Sequence, residues 1–124
     1  MTMKTTSKVS ESNLQIACVK WFDMQYPNWT QQLFHIRNGG SIKSAREGRK
    51  YKLMGVRKGV PDLFLSVPND EYHGFFIELK KPGGKPSNEQ VVSGLMLENL
   101  GYKFMIIDDL EVFMTEIKRY FISI

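Results

Sequence analysis

The chain has 124 residues, of which 42% are hydrophobic, 12% aromatic and 24% charged, a make-up that excludes a two-domain enzyme and a disordered or fibrous chain. Its longest uninterrupted apolar runs, residues 16–19 and 104–107, are four residues each, far short of the roughly 20 that a membrane helix needs. The first thirteen residues contain no apolar core of a secretory leader, and Cys18 is the single cysteine. The expectation is a cytoplasmic protein of a bacterial or phage-infected cell, with no membrane partner, no disulfide, no cysteine-based zinc site and no organic cofactor.

In chain order, residues 1–10 read as a polar tail and residues 11–124 as a single domain. Ser10 is a candidate N-cap for a helix from Glu11 to about Met24, with Leu14, Ala17, Cys18, Trp21 and Phe22 at three- and four-residue spacing. Glu11 falls on the extension of that apolar stripe, an odd place for a carboxylate; a first-turn glutamate favoured by the helix dipole explains it equally well. Residues 32–37 predict a short strand ending at Asn38-Gly39-Gly40, a turn signal. A basic segment follows, helical around Ser44 to Met54. Residues 60–67 and 75–81 predict two strands of a hairpin joined by a loop over 68–74. Ser87 and Gln90 match a capping box before a helix at 91–100, with Gly101 just past its end. Residues 102–107 predict a fourth strand, and Asp108 or Asp109 caps a last helix running to about Phe121. The result is an α/β domain with a mixed four-stranded sheet flanked by helices, in the order α-β-β-β-α-β-α.

The formal charge of +4 is unevenly placed. Arg37, Lys43, Arg46, Arg49, Lys50, Lys52, Arg57 and Lys58 share residues 37–58 with one acid, Glu47, so that this segment carries +7 and the rest of the chain is acidic on balance. A solvated basic loop would account for such a run. A stripe that takes up nucleic-acid phosphates accounts for it too, because clustered cations displace the counterions condensed on that backbone.

Side chains alternate along a strand, so Glu78 and Lys80 share one face of the third strand while Phe75, Ile77 and Leu79 share the other. A hairpin folding near residues 70 and 71 pairs positions whose numbers sum to about 140–142, which sets Asp62 opposite Glu78 or Lys80 on that face. Two carboxylates one cross-strand spacing apart repel each other, and a divalent cation removes that cost. The oxygen-rich pair suits Mg2+ or Mn2+. Lys80 then stands where an ammonium can orient or help deprotonate an attacking water, and Glu11 could add a further ligand. An exposed strand pair beside a turn aspartate is the plainer alternative. His35 and His73 lack a cysteine or acidic partner at ligand spacing, and Trp21, Trp29 and Tyr51 read as core in preference to base-stacking groups.

Pro61-Asp62, fifteen intervening residues and Glu78-Leu79-Lys80 resemble the signature of the PD-(D/E)XK nucleases, whose core is restriction-endonuclease-like. The wider run is ESNLQ at 11–15, RNGG at 37–40, LMGVRKGVPDL at 53–63, IELK at 77–80, GKPSNEQ at 84–90 and LGY at 100–102. In that order it resembles the VRR-NUC branch, similar to its stand-alone phage-type members. The resemblance implies that Asp62, Glu78 and the backbone carbonyl of Leu79 hold the metal and that Lys80 is the catalytic lysine. It further implies that Glu11 is the acidic residue of the first helix and Gln90 the glutamine after the third strand, although for Gln90 the capping box competes.

The function expected is therefore a structure-selective DNA endonuclease dependent on Mg2+ or Mn2+, acting on branched DNA such as Holliday junctions as a homodimer. Val112, Phe113, Ile117, Tyr120 and Phe121 exceed what one buried stripe of the last helix requires and offer an interface, although some must pack on the sheet. A DNA-binding module without turnover, or a less selective or restriction-type endonuclease, are the alternatives.

Overall fold

A computed structural model describes residues 10–37 and 43–124. The polar tail apart from Ser10, and the Asn38-Gly39-Gly40 turn, lie outside the described residues. The elements are α1 (Glu11–Gln25), a short 3-10 helix (Pro27–Gln32), β1 (Leu33–His35), α2 (Ala45–Leu53), β2 (Leu63–Leu65), β3 (Phe75–Leu79), α3 (Asn88–Asn99), β4 (Lys103–Ile107) and α4 (Leu110–Ile122). The strands lie side by side in the order β1-β2-β3-β4, antiparallel at the first two junctions and parallel at the last. The mixed sheet read from the sequence is the one present.

The helices start where local chemistry starts them. Ser10, Ser44, Ser87 and Asp109 each accept a backbone N–H of the first turn of α1, α2, α3 and α4, meeting donors that a helix start otherwise leaves unpaired. Gly101, past the end of α3, has φ +98°, the left-handed conformation that glycine adopts at least cost. The 3-10 helix was not expected: Pro27 stops α1, and PNWTQQ carries no helical apolar period.

Alternation along the strands then divides the two faces of the sheet. Leu63, Leu65, Phe75, Ile77, Leu79 and Ile107 point into one core, covered by Leu14, Cys18 and Phe22 of α1 and Phe113, Ile117 and Tyr120 of α4. Each such side chain contributes roughly 1.5–3 kcal/mol by leaving water. Burial pushes the Cys18 thiol up to about 12, so it behaves as a core hydrophobe. Tyr120 keeps its hydroxyl satisfied by donating to the Val67 carbonyl at 2.6 Å.

This packing corrects the reading of the last helix. Phe113, Ile117 and Tyr120 are buried, and Phe121 stacks on Tyr26 with ring centroids 4.3 Å apart, which leaves Val112 alone of the five exposed. Exposed apolar side chains gather along α3 and at its end, at Val92, Leu95, Met96 and Leu100. Trp21 packs edge-on against Tyr26 and Phe113, as its stripe position implied.

On the opposite face of the sheet α3 lies over β4. The approach is close: a Cβ on Gly94 would stand 2.2 Å from Cε2 of Phe104. Phe64 stacks on Phe76 beside it, with centroids 4.2 Å apart.

Candidate active site

The hairpin register is Leu63↔Ile77, Phe64↔Phe76 and Leu65↔Phe75. Continued by one residue, it brings Asp62 opposite Glu78, one of the two registers expected. The two strands are tied at this point, because the Leu79 N–H donates to Asp62 Oδ2 at 2.8 Å. The Asp62 backbone is also fixed from β1: its carbonyl accepts the Ile36 N–H at 2.8 Å and lies 2.8 Å from His35 Nδ1. His35 was not singled out for this role from the sequence, although its cross-strand partner is Leu63, the neighbour of Asp62.

Glu78 is the only charged or polar side chain buried among the described residues, at 2% exposure. Its two oxygens have different surroundings. Oε2 accepts from Gln90 Nε2 at 2.8 Å and lies 3.4 Å from the Lys80 ammonium. Oε1 is buried and has no hydrogen-bond partner. Desolvation first, then the Asp62 charge and more weakly that of Glu11, push the Glu78 carboxyl up to about 7 from its ordinary 4.5, against the opposing pull of Lys80. A carboxyl raised by burial and by a carboxylate neighbour marks a candidate functional site.

Lys80 continues β3 past its last paired residue, its N–H donating to the Ile107 carbonyl at 3.0 Å, and its side chain is 12% exposed. Gln90 completes the cap and also meets Glu78. Its Oε1 accepts the Ser87 N–H at 2.8 Å, completing the capping box, while its Nε2 holds Glu78. Glu11 does not extend the buried stripe: it is exposed at the first turn of α1, and its charge is felt at Glu78. Among the described residues no three His, Cys, Asp or Glu side chains gather at metal-holding distance; the carboxylate that acts most strongly on Glu78 is Asp62, opposite it in the hairpin register.

The basic residues Arg37, Lys43, Arg46, Arg49, Lys50, Lys52, Arg57 and Lys58 are all exposed. Glu47, the one acid among them, is engaged in capping: its N–H donates to Ser44 Oγ at 3.1 Å and its Oε1 accepts the Lys43 N–H at 2.7 Å. Arg37 lies over the Tyr51 ring, 4.4 Å from its centre. His73 packs against Gly101 and Tyr102, away from the pair.

With this geometry in place, comparison with known proteins decides the family: residues 8–108 match the VRR-NUC domain. The chain belongs to the VRR-NUC family. A solved VRR-NUC domain protein superposes with a TM-score of 0.80 at 24% identity, covering 93% of this chain and 90% of that one, which establishes the shared α/β nuclease fold. A curated relative, "Putative nuclease p44" of Acyrthosiphon pisum secondary endosymbiont phage 1, is 36% identical over 62 residues, or 49% of this chain. The match spans 64% of that relative's length, less than two thirds. The VRR-NUC chain thus carries Asp62 just before β2, Glu78 on β3, Lys80 just after it and Gln90 in the first turn of α3 of a nuclease fold. Among the described residues no helix is long and apolar enough to cross a membrane.

Proposed function

We propose that this VRR-NUC chain is a metal-dependent DNA endonuclease that hydrolyses phosphodiester bonds, that its substrate is branched DNA such as a four-way junction, and that it works as a homodimer. One observation carries the reading: Glu78 Oε1 is a buried, unpartnered carboxylate oxygen beside Asp62. An unsatisfied buried acceptor is costly unless a cation or water meets it. Hard oxygen donors fit Mg2+ or Mn2+, which tolerate few protein ligands and keep several positions for water and phosphate. Asp62, Glu78 Oε1 and the Leu79 carbonyl are the donors that would hold it, with Glu11 adding negative charge from α1. When bound, the cation supplies charge stabilisation at the transferring phosphate.

The chain's own groups do the rest. Gln90 and Lys80 hold Glu78 Oε2, which fixes the carboxylate and leaves Oε1 as its unpartnered oxygen. Lys80, beside the acid pair, is placed to bind and orient the attacking water and to compensate charge on the phosphate. The exposed cations of residues 37–58 bind the duplex backbone without reading base edges. The apolar side chains exposed on α3 give a second protomer a face to cover, and two sites related by a two-fold axis suit symmetric cutting of a junction. A panel of labelled flap, fork, four-way and linear DNAs with Mg2+ or Mn2+ tests the reading. Cleavage ranked by structure supports it, equal cutting of all four removes the selectivity, and binding without cleavage favours a DNA-binding module.

A further inference from the structure

No residue of the basic helix α2 is buried. A short helix is ordinarily held by an apolar face packed on the core, yet its leucine, Leu53, is 85% exposed and the next residue, Met54, is 67% exposed. The end that carries them is a closed turn. The Met54 N–H donates to the Lys50 carbonyl at 3.0 Å, the Val56 N–H to the Tyr51 carbonyl at 3.0 Å, and the Lys52 carbonyl accepts both the Gly55 N–H and Arg57 Nη1 at 3.1 Å. Gly55 has φ +100°, which makes the reversal available.

Residues at i, i+3, i+4 and i+7 share a helix face, so Arg46, Arg49, Lys50 and Leu53 lie along one side of α2. Lys52 and, past the turn, Arg57 and Lys58 stand around the tip, all of them exposed. A protein that covered Leu53 and Met54 would have to desolvate these cations. A nucleic acid meets both features at once, because phosphates take the cations and the gap between two base pairs takes an apolar side chain.

We propose that Leu53 and Met54 are an apolar wedge that α2 delivers into DNA at a base step, and that this wedge selects branched or otherwise unstacked DNA over continuous duplex. The proposal rests on the nuclease reading above. Insertion into stacked duplex requires a step to be opened, whereas a branch point offers steps that are already loosened. The nine residue-to-residue steps from Leu53 to Asp62, even fully extended, reach at most roughly 32 Å. The wedge therefore acts within about one helical turn of DNA, ~34 Å, from the acid pair.

The experiment uses the full chain in EDTA, with 2-aminopurine placed at successive steps of a four-way junction and of a linear duplex. Wild type is expected to raise the fluorescence at one or two steps near the branch. Leu53→Ala with Met54→Ala should abolish the rise and lower the preference for the junction roughly tenfold, the worth of burying one such side chain, while affinity for linear duplex stays within about twofold. Both positions are exposed and alanine keeps the helix, so the fold is unaffected. Met24→Ala, which removes an equally exposed side chain of α1 (83% exposed), should behave as wild type. A double variant that keeps the rise and the preference overturns the wedge while leaving the nuclease reading intact. One that changes the oligomeric state and keeps the rise also overturns it, in favour of a protein contact. A wild-type chain that binds none of the DNAs in EDTA and cuts none of them with Mg2+ or Mn2+ overturns the nuclease reading itself.

Discussion

Gln90 donates through Nε2 to Glu78 Oε2 and accepts the Ser87 N–H through Oε1, both at 2.8 Å, so one side chain joins the first turn of α3 to the buried carboxylate of β3. The helix start and the buried carboxylate cannot be positioned independently. Substitutions at Ser87 and Gln90 separate the two roles. Ser87→Ala removes the hydroxyl cap but keeps the backbone N–H that Gln90 accepts, and should lower stability by about 1 kcal/mol with activity little changed. Gln90→Glu keeps an acceptor for that N–H but sets a second carboxylate against Glu78, and should abolish cleavage while melting close to wild type at low pH. Thermal melts run beside cleavage rates check both, and an active Gln90→Glu variant would reduce the glutamine to a cap.

Asp62 Oδ2 accepts the Leu79 N–H, a role an asparagine oxygen can also fill. Asp62→Asn should therefore fold and bind DNA but not cut it, whereas Asp62→Ala also leaves that N–H without its partner and should melt lower by roughly 1–3 kcal/mol. Lys80→Ala should retain metal-linked stabilisation with its rate reduced by at least tenfold, consistent with loss of a general acid–base or orienting group. Full activity of the wild-type chain in excess EDTA would sink the metal mechanism, and a Lys80→Ala rate within about twofold of wild type would remove Lys80 from the chemistry.

Glu78 makes the metal-free protein sensitive to pH in a direction that can be stated. Its carboxyl titrates at about 7 in the folded chain against an ordinary 4.5, so the folded state binds the proton more tightly. The stability gained from the protonated form is full below about 4.5 and is lost as pH rises through about 7. The difference is on the order of 3 kcal/mol. In EDTA, Glu78→Gln should gain on wild type between pH 5 and pH 8. Mg2+ should raise the melting temperature of wild type more at pH 8 than at pH 6 and leave Glu78→Gln unmoved; equal shifts in the two proteins would place the cation elsewhere.

Neutralising Arg46, Arg49 and Lys50 together should weaken binding on all sequences alike and flatten the dependence of log affinity on log salt by roughly one unit for each lost phosphate contact. Titrations at several salt concentrations check it. An unchanged slope would leave these residues as a solvated face.

The site was legible in the sequence where it depended on alternation and on a short hairpin. Glu78 and Lys80 had to share a face opposite Phe75, Ile77 and Leu79, and apolar patterning held the register to within one step of Asp62. Helix starts were legible because Ser10, Ser87 and Asp109 act on neighbours three residues away. What was hidden depended on distant parts of the chain. Gln90 reaches Glu78 only because α3 docks with its first turn beside β3, and local chemistry revealed the cap alone. The apparent surplus on α4 vanished because Phe121 finds Tyr26 at the far end of α1, a contact no helical period contains. Glu11 misled for the converse reason: its position on the stripe lies beyond the point where the core ends.

Gly94 lies one helical turn after Gln90, and its missing side chain lets α3 settle onto the Phe104 ring, where an added methyl would meet Cε2 at 2.2 Å. The helix is in effect a beam clamped at a residue with no functional group, with the amide that steadies Glu78 near its free end. Any bulk at the clamp lifts the beam, and a displacement of a few tenths of an ångström there is comparable with the tolerance of a 2.8 Å hydrogen bond. The orientation of the acid pair is thus set partly one helical turn away from Gln90, on the same sheet-facing side of the helix, so variation at Gly94 or Phe104 would shift Glu78 without changing Asp62, Glu78, Lys80 or Gln90.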